Sequence, residues 1–100
     1  DYSFIISEFF STYCNDPVTL TDLAKLLHLS EKQAARLVKK YTGESFLNTL
    51  TANRMQVADF LLETADMSMT EIAGEVGYRS YSGFWKAYQK YTNKQTKNRC

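Results

Sequence analysis

At 100 residues, 44% of them apolar, the chain is long enough to bury one small core and too short for two independent ones. Charged residues make up 23%, and four Gly and one Pro are the only strong breakers, a composition that excludes a disordered tail; with apolar runs of only a few residues, such as Phe4-Ile5-Ile6, no membrane span or secretory leader is expected among these residues. The net charge of +1, taken as a total, argues against a strongly basic nucleic-acid binder.

The chain opens on Asp1 rather than Met and enters an amphipathic segment at once, so it is expected to be a piece of a longer protein. Phe4, Ile5, Ile6, Phe9, Phe10 and Tyr13 recur at helical spacing and predict a first helix, which Asn15-Asp16-Pro17 stops. Thr19-x-x-Asp22 is a capping box, an oxygen acceptor followed three residues later by a carboxyl group, and opens a short helix through Leu27. Ser30-x-x-Gln33 repeats the device and predicts a third helix to Tyr41, ended by Thr42-Gly43; His28-Leu29 leaves room only for a tight turn. Ser45 caps a fourth helix from Phe46 to about Glu63, which at ~1.5 Å per residue spans ~27 Å. Ser68-x-x-Glu71 opens a fifth helix through Val76 that Gly77 ends, and Ser80 begins a sixth that reaches Tyr91. Strand alternation is nowhere evident, so the fold class is all-α.

The second half replays the first. Leu23, Ala24 and Leu27 return 49 positions later as Ile72, Ala73 and Val76, whereas Ala34, Leu37, Val38 and Tyr41 return 50 positions later as Phe84, Ala87, Tyr88 and Tyr91. The change of offset falls in the turn, where length change is tolerated. A small residue, a brief turn and a capped helix with a basic outer face form the pattern of a helix-turn-helix, whose second helix enters the major groove.

Charge follows the same division. Segment 1 to 29 carries Lys25 against Asp1, Glu8, Asp16 and Asp22, and segment 30 to 42 carries Lys32, Arg36, Lys39 and Lys40 against Glu31. Segment 43 to 76 carries Arg54 against six acids, and segment 77 to 100 has Arg79, Lys86, Lys90, Lys94, Lys97 and Arg99 with no acid. A near-neutral total therefore conceals two basic blocks.

With Ala34, Leu37, Val38 and Tyr41 turned inward, the third helix presents Lys32, Ala35, Arg36, Lys39 and, at its margin, Lys40. Arg can fork onto guanine, and Lys can meet phosphate or guanine. With Phe84, Ala87, Tyr88 and Tyr91 inward, the sixth helix presents Tyr81, Ser82, Trp85, Lys86 and Gln89, with Lys90 completing the candidate set. A wide apolar surface there can pack on a thymine methyl or on sugar, and carboxylates would repel phosphate.

A charged stripe on a single helix is usually a solvated face; matched stripes on the second helices of two repeats point to DNA. Most of the fourteen aromatics are expected in the core by periodicity, with Tyr81 and Trp85 set apart for binding DNA or a protein. His28 has no partner at catalytic or metal-ligand spacing, and Ser82 with Lys86 lacks the setting of a nucleophile and base. Cys14 and Cys100 stand in no CxxC or Cys/His pattern, so no disulfide or metal site is expected and a reducing, intracellular location fits. Gly83, early in the sixth helix, is either a surface defect costing ~1 kcal/mol relative to Ala or a place where backbone approaches DNA closely.

Residues 19 to 92 resemble the DNA-binding domain of AraC-type transcription regulators. TLTDLAKLLHLSEKQAARLVKKYTGESF looks like the first helix-turn-helix of that family, RMQVADFLLETADMSMTEIAGEVGY like its linker helix and second motif entry, and FWKAYQKYT like its signature end. The resemblance implies a single DNA-binding domain, 1–100, in which helix-turn-helix subdomains 1–43 and 65–100 are joined by a linker helix within 44–64. Each subdomain would send its second helix into one of two successive major-groove segments of double-stranded DNA. Base-reading positions would be Lys32, Ala35 and Arg36 in the first, and Tyr81, Ser82, Trp85 and Lys86 in the second. It further implies a cytoplasmic bacterial regulator without catalysis, cofactor or membrane, meeting RNA polymerase or a dimer partner through the full-length protein. The competing class is a helical protein-interaction module that retains the fold.

Four departures mark this chain, one of them the unusual Tyr81, Gly83 and Trp85 of the second recognition helix, which imply an unfamiliar target sequence and not loss of binding. Where the family has Gly and then Pro after KYT, Asn93 and Thr96 stand, and Asn93 can still adopt the left-handed conformation of a helix stop. Ala35 is too short to hydrogen-bond a base edge, and Glu31 occupies a position where Pro is common.

Overall fold

The computed structural model describes the backbone of residues 1–98 and the side chains of residues 1–93; Arg99 and Cys100, and the side chains of Lys94, Thr96 and Lys97, lie outside the described residues. Among the described residues every regular element is helical: α1 Tyr2–Tyr13, α2 Leu20–Leu27, α3 Glu31–Thr42, α4 Phe46–Thr64, α5 Met69–Glu75 and α6 Tyr81–Asn98.

Each helix begins where a side chain satisfies an otherwise orphaned backbone N–H. All three capping boxes form, at Thr19/Asp22, Ser30/Gln33 and Ser68/Glu71. Ser45 Oγ accepts the Asn48 N–H at 3.1 Å, and Ser80 Oγ accepts the Gly83 N–H at 3.1 Å. Loss of one such cap costs ~1 kcal/mol. α3 ends on Gly43 at φ 79°, as its Thr-Gly signal predicts. The end of α6 departs from expectation: Asn93 does not stop the helix, which runs on to Asn98. Residues 93 to 98 contain neither Gly nor Pro, so nothing local removes the next hydrogen bond.

The length of the chain predicts a single core, but the chain forms two compact units, Asp1–Asn53 and Arg54–Cys100, each with buried residues of its own, because α4 contributes its first part to one and its remainder to the other. The first unit buries Ile6, Phe9 and Phe10 of α1, Leu23, Ala24 and Leu27 of α2, Ala34 and Val38 of α3, and Leu50 of α4. Phe46 packs its ring near those of Phe9 and Phe10, at centroid distances of 6.2 and 5.3 Å. The second unit closes Met55 and Ala58 of α4 over Ile72, Ala73, Val76 and Phe84. Burial of each large apolar side chain in these cores stabilises by ~1.5–3 kcal/mol relative to exposure.

Periodicity overstates how many aromatics are core. Phe9, Phe10 and Phe84 are buried, but Phe4 is 66% exposed, and Tyr2, Tyr13, Tyr41 and Phe60 are exposed as well. Tyr41, expected to turn inward, is 42% exposed on the last turn of α3, at the edge of the core that takes Ala34 and Val38. There its ring lies under the Lys40 ammonium, 5.3 Å from Nζ to centroid, and lines a groove of ≈ 240 Å³ with Ser3, Ser7 and Ser11 of α1. A small unit has too little interior for every ring at helical spacing.

Candidate nucleic-acid interface

Within the first unit, α2 and α3 form a tight pair joined by His28-Leu29 and the Ser30 cap. His28 takes the left-handed conformation at φ 60°, which reverses the chain in the space of one residue. The Leu29 N–H reaches back to the Ala24 carbonyl at 3.0 Å. A second tie crosses the motif: Thr21 Oγ1 donates to Glu31 Oε2 at 2.8 Å, joining the first turns of α2 and α3. Glu31 is the only acid of the first basic block, and this bond engages its carboxylate with α2.

α3 then presents its charge outward. Lys32, Arg36, Lys39 and Lys40 are exposed, on the side of the helix away from the fully buried Ala34 and Val38. Ala35, expected among the outward positions, is only half-exposed. It can offer methyl contact and no hydrogen bond.

The second unit builds the same device by slightly different means. Gly77 holds φ 100°, and the Tyr78 N–H reaches the Ala73 carbonyl at 2.9 Å, the counterpart of Leu29 to Ala24. One more residue, Arg79, separates this turn from the Ser80 cap, and it is exposed just before α6. Arg79 therefore joins the candidate contacts; the shift of repeat offset from 49 to 50 already marked its place. On α6, Tyr81, Ser82, Trp85, Lys86, Gln89 and Lys90 are all exposed, while Phe84 is fully buried and Ala87, Tyr88 and Tyr91 are half-buried against the core.

The aromatic residues of α6 are in order among themselves. Tyr81 and Trp85 stack with ring planes 12° apart and centroids at 6.2 Å, Trp85 continues onto Tyr88 at 6.1 Å, and Tyr88 onto Phe84 at 5.7 Å. Tyr88 donates its phenol proton to Asp59 Oδ1 at 2.8 Å. Burial first, and then this bond to a carboxylate, raise the Tyr88 pKa above its ordinary value. A Cβ at Gly83 would lie 3.3 Å from the capping Ser80 Oγ, a close contact that a shift of a few tenths of an ångström would relieve, and the matching positions of α2, α3 and α5 carry the side chains of Asp22, Gln33 and Glu71.

Neither Ser82 nor Lys86 lines the groove beside Tyr41, whose walls are Ser3, Ser7, Ser11, Thr42, Thr49 and Asn53 over Ile6 and Phe10. Among the described residues no group of three His, Cys, Asp or Glu side chains could hold a metal ion, and no helix is long and apolar enough to cross a membrane. Cys14 is buried in the first unit.

Residues 23–96 match the family model of a helix-turn-helix domain. The Msm operon regulatory protein of Streptococcus mutans is 32% identical over 75 residues, which are 75% of this chain and 27% of that protein. The chain thus spans roughly a quarter of the length of such relatives. Among solved structures, the C-terminal domain of AraT, a response regulator from Geobacillus stearothermophilus, is 28% identical with a TM-score of 0.84 over 92% of this chain and 77% of that one. The DNA-binding domain of the global transcriptional factor AdpA, solved in complex with a target DNA, is 25% identical with a TM-score of 0.79 over 89% of this chain and 79% of that one.

Proposed function

Since the chain belongs to the AraC-type helix-turn-helix family, we propose that it is the DNA-binding part of a bacterial transcriptional regulator and that α3 and α6 enter successive major-groove segments of one duplex. The observation that carries this reading is the pair of matched units, each exposing cations on the side of its second helix that faces away from the core. The DNA complex of the AdpA domain supports it. In this reading Arg36 forks onto a base edge, Lys32 reads a base or meets phosphate, and Lys39 and Lys40 neutralise phosphates. Tyr81, Ser82, Trp85 and Lys86 face the bases of the second segment, flanked by Arg79, Gln89 and Lys90. Such a regulator works in the cytoplasm, and contact with RNA polymerase or a second copy falls to the full-length protein.

Binding of duplex DNA across a salt series tests the proposal. With ~6 phosphates neutralised, log affinity falls against log salt with a slope near −5. A slope near zero, or no binding to any duplex at low salt, overturns it. That result would favour the second reading, a helical module that uses the exposed Tyr81 and Trp85 pair to bind a protein.

A further inference from the structure

The rings on α6 form a continuous series from core to surface. Phe84 is fully buried, Tyr88 stacks on it, Trp85 on Tyr88, and Tyr81 on Trp85, and the two outermost remain 38% and 42% exposed. The hydroxyl of Tyr88 is bonded to Asp59 on α4, which restrains the middle of the series from the side. An exposed pair of rings held in this way loses little side-chain entropy on meeting a ligand. Their ring faces are apolar, with the phenol O–H and indole N–H at the ring edges, and the apolar group that a base pair offers in the major groove is the C5-methyl of thymine.

Resting on the DNA-binding reading above, we infer that Tyr81 and Trp85 are the specificity-determining residues of the second unit and read thymine methyl groups, and that Tyr88 and Asp59 are positioning residues acting through Trp85. α6 would then select A·T pairs in one orientation by methyl packing, whereas α3 reads through the hydrogen bonds of Arg36. Ser82, Lys86 and Gln89 would supply the polar contacts around that packing.

The test begins with a site selected from random duplexes by the 100-residue chain. Its thymines are replaced one at a time by uracil, which removes only the methyl and leaves every hydrogen-bonding group in place. Uracil at one or two positions should lower affinity about fourfold each, the value of one buried carbon. Trp85→Ala should bind thymine and uracil sites alike, and Trp85→Phe should recover part of the preference. Because Trp85 is the sole tryptophan, protection of its fluorescence from acrylamide on binding shows directly that the ring is covered. Tyr88→Phe keeps the ring but removes the bond to Asp59, and should lower the thymine-to-uracil ratio without changing the salt slope.

Equal affinity for thymine and uracil at every position overturns the inference and leaves the DNA reading standing. A thymine preference that survives both Trp85→Ala and Tyr81→Ala overturns it too, by giving the methyl contact to other residues. An unchanged ratio in Tyr88→Phe overturns the positioning role. Failure of the unmodified duplexes to bind at all overturns the DNA reading and this inference together.

Discussion

His28 and Gly77 hold the same left-handed backbone position in the two units, at φ 60° and 100°, each followed by an N–H that reaches back to an alanine carbonyl, Ala24 or Ala73. A side chain is tolerated in one copy and absent in the other.

The two positions should therefore respond in opposite directions to substitution. His28 is exposed, so replacing it changes backbone preference and little else. His28→Gly is expected to stabilise by about 0.5–1 kcal/mol, since relief of the left-handed penalty outweighs the added freedom of the unfolded chain. His28→Val and Gly77→Ala should each cost about 1–2 kcal/mol. Urea unfolding checks all three, and a destabilised His28→Gly would refute the account.

The bond from Tyr88 to Asp59 predicts an alkaline effect. The folded pKa of Tyr88 lies above its ordinary value of 10.0, because burial and the carboxylate both favour the neutral phenol. The stability it confers is then fully present below pH ~10 and is lost as pH rises from there through the folded pKa. Tyr88→Phe should cost about 1 kcal/mol at neutral pH. The difference between wild type and variant should shrink above pH ~10. A constant difference across that range would show that the phenol proton is not involved.

Division of labour on α3 separates base reading from phosphate contact. Arg36→Ala should cost ~1–3 kcal/mol on a selected site and relax base preference at one position, whereas Lys40→Ala should weaken all sequences alike. Equal loss on random and selected DNA for Arg36→Ala would remove its assignment as a base reader.

Engagement of one duplex by both units predicts a fixed spacing of the two contacts, about one helical turn or ~34 Å apart on one DNA face. Lys32 and Arg36 in one unit and Tyr81, Trp85 and Lys86 in the other make the readout unequal, so the site should be asymmetric. Footprinting should show two protected patches, and half a turn inserted between them should abolish simultaneous contact. Undiminished affinity with both patches still protected would sink the fixed-spacing claim.

What could be read in the sequence is what local chemistry determines. The boxes at Thr19, Ser30 and Ser68 place three helix starts, and Gly43 and Pro17 mark stops, because each acts through groups within one turn of itself. The repeat offset placed the second motif, and periodicity correctly exposed Lys32, Arg36, Tyr81 and Trp85. Asn93 misled because its left-handed tendency is a permission that a continuing helix can ignore.

Tertiary structure alone decided which of the periodic aromatics become core. Tyr41 and Tyr91 occupy matching places in the repeat, yet one is exposed and the other half-buried, since that outcome depends on which neighbours arrive and how much interior a small unit has. The same holds for the bonds of Thr21 to Glu31 and of Tyr88 to Asp59, which join residues 10 and 29 positions apart. Helix period and capping are properties of adjacent residues and are written in their order. A hydrogen bond between two helices exists only once packing has brought its donor and acceptor together, and no local pattern records it.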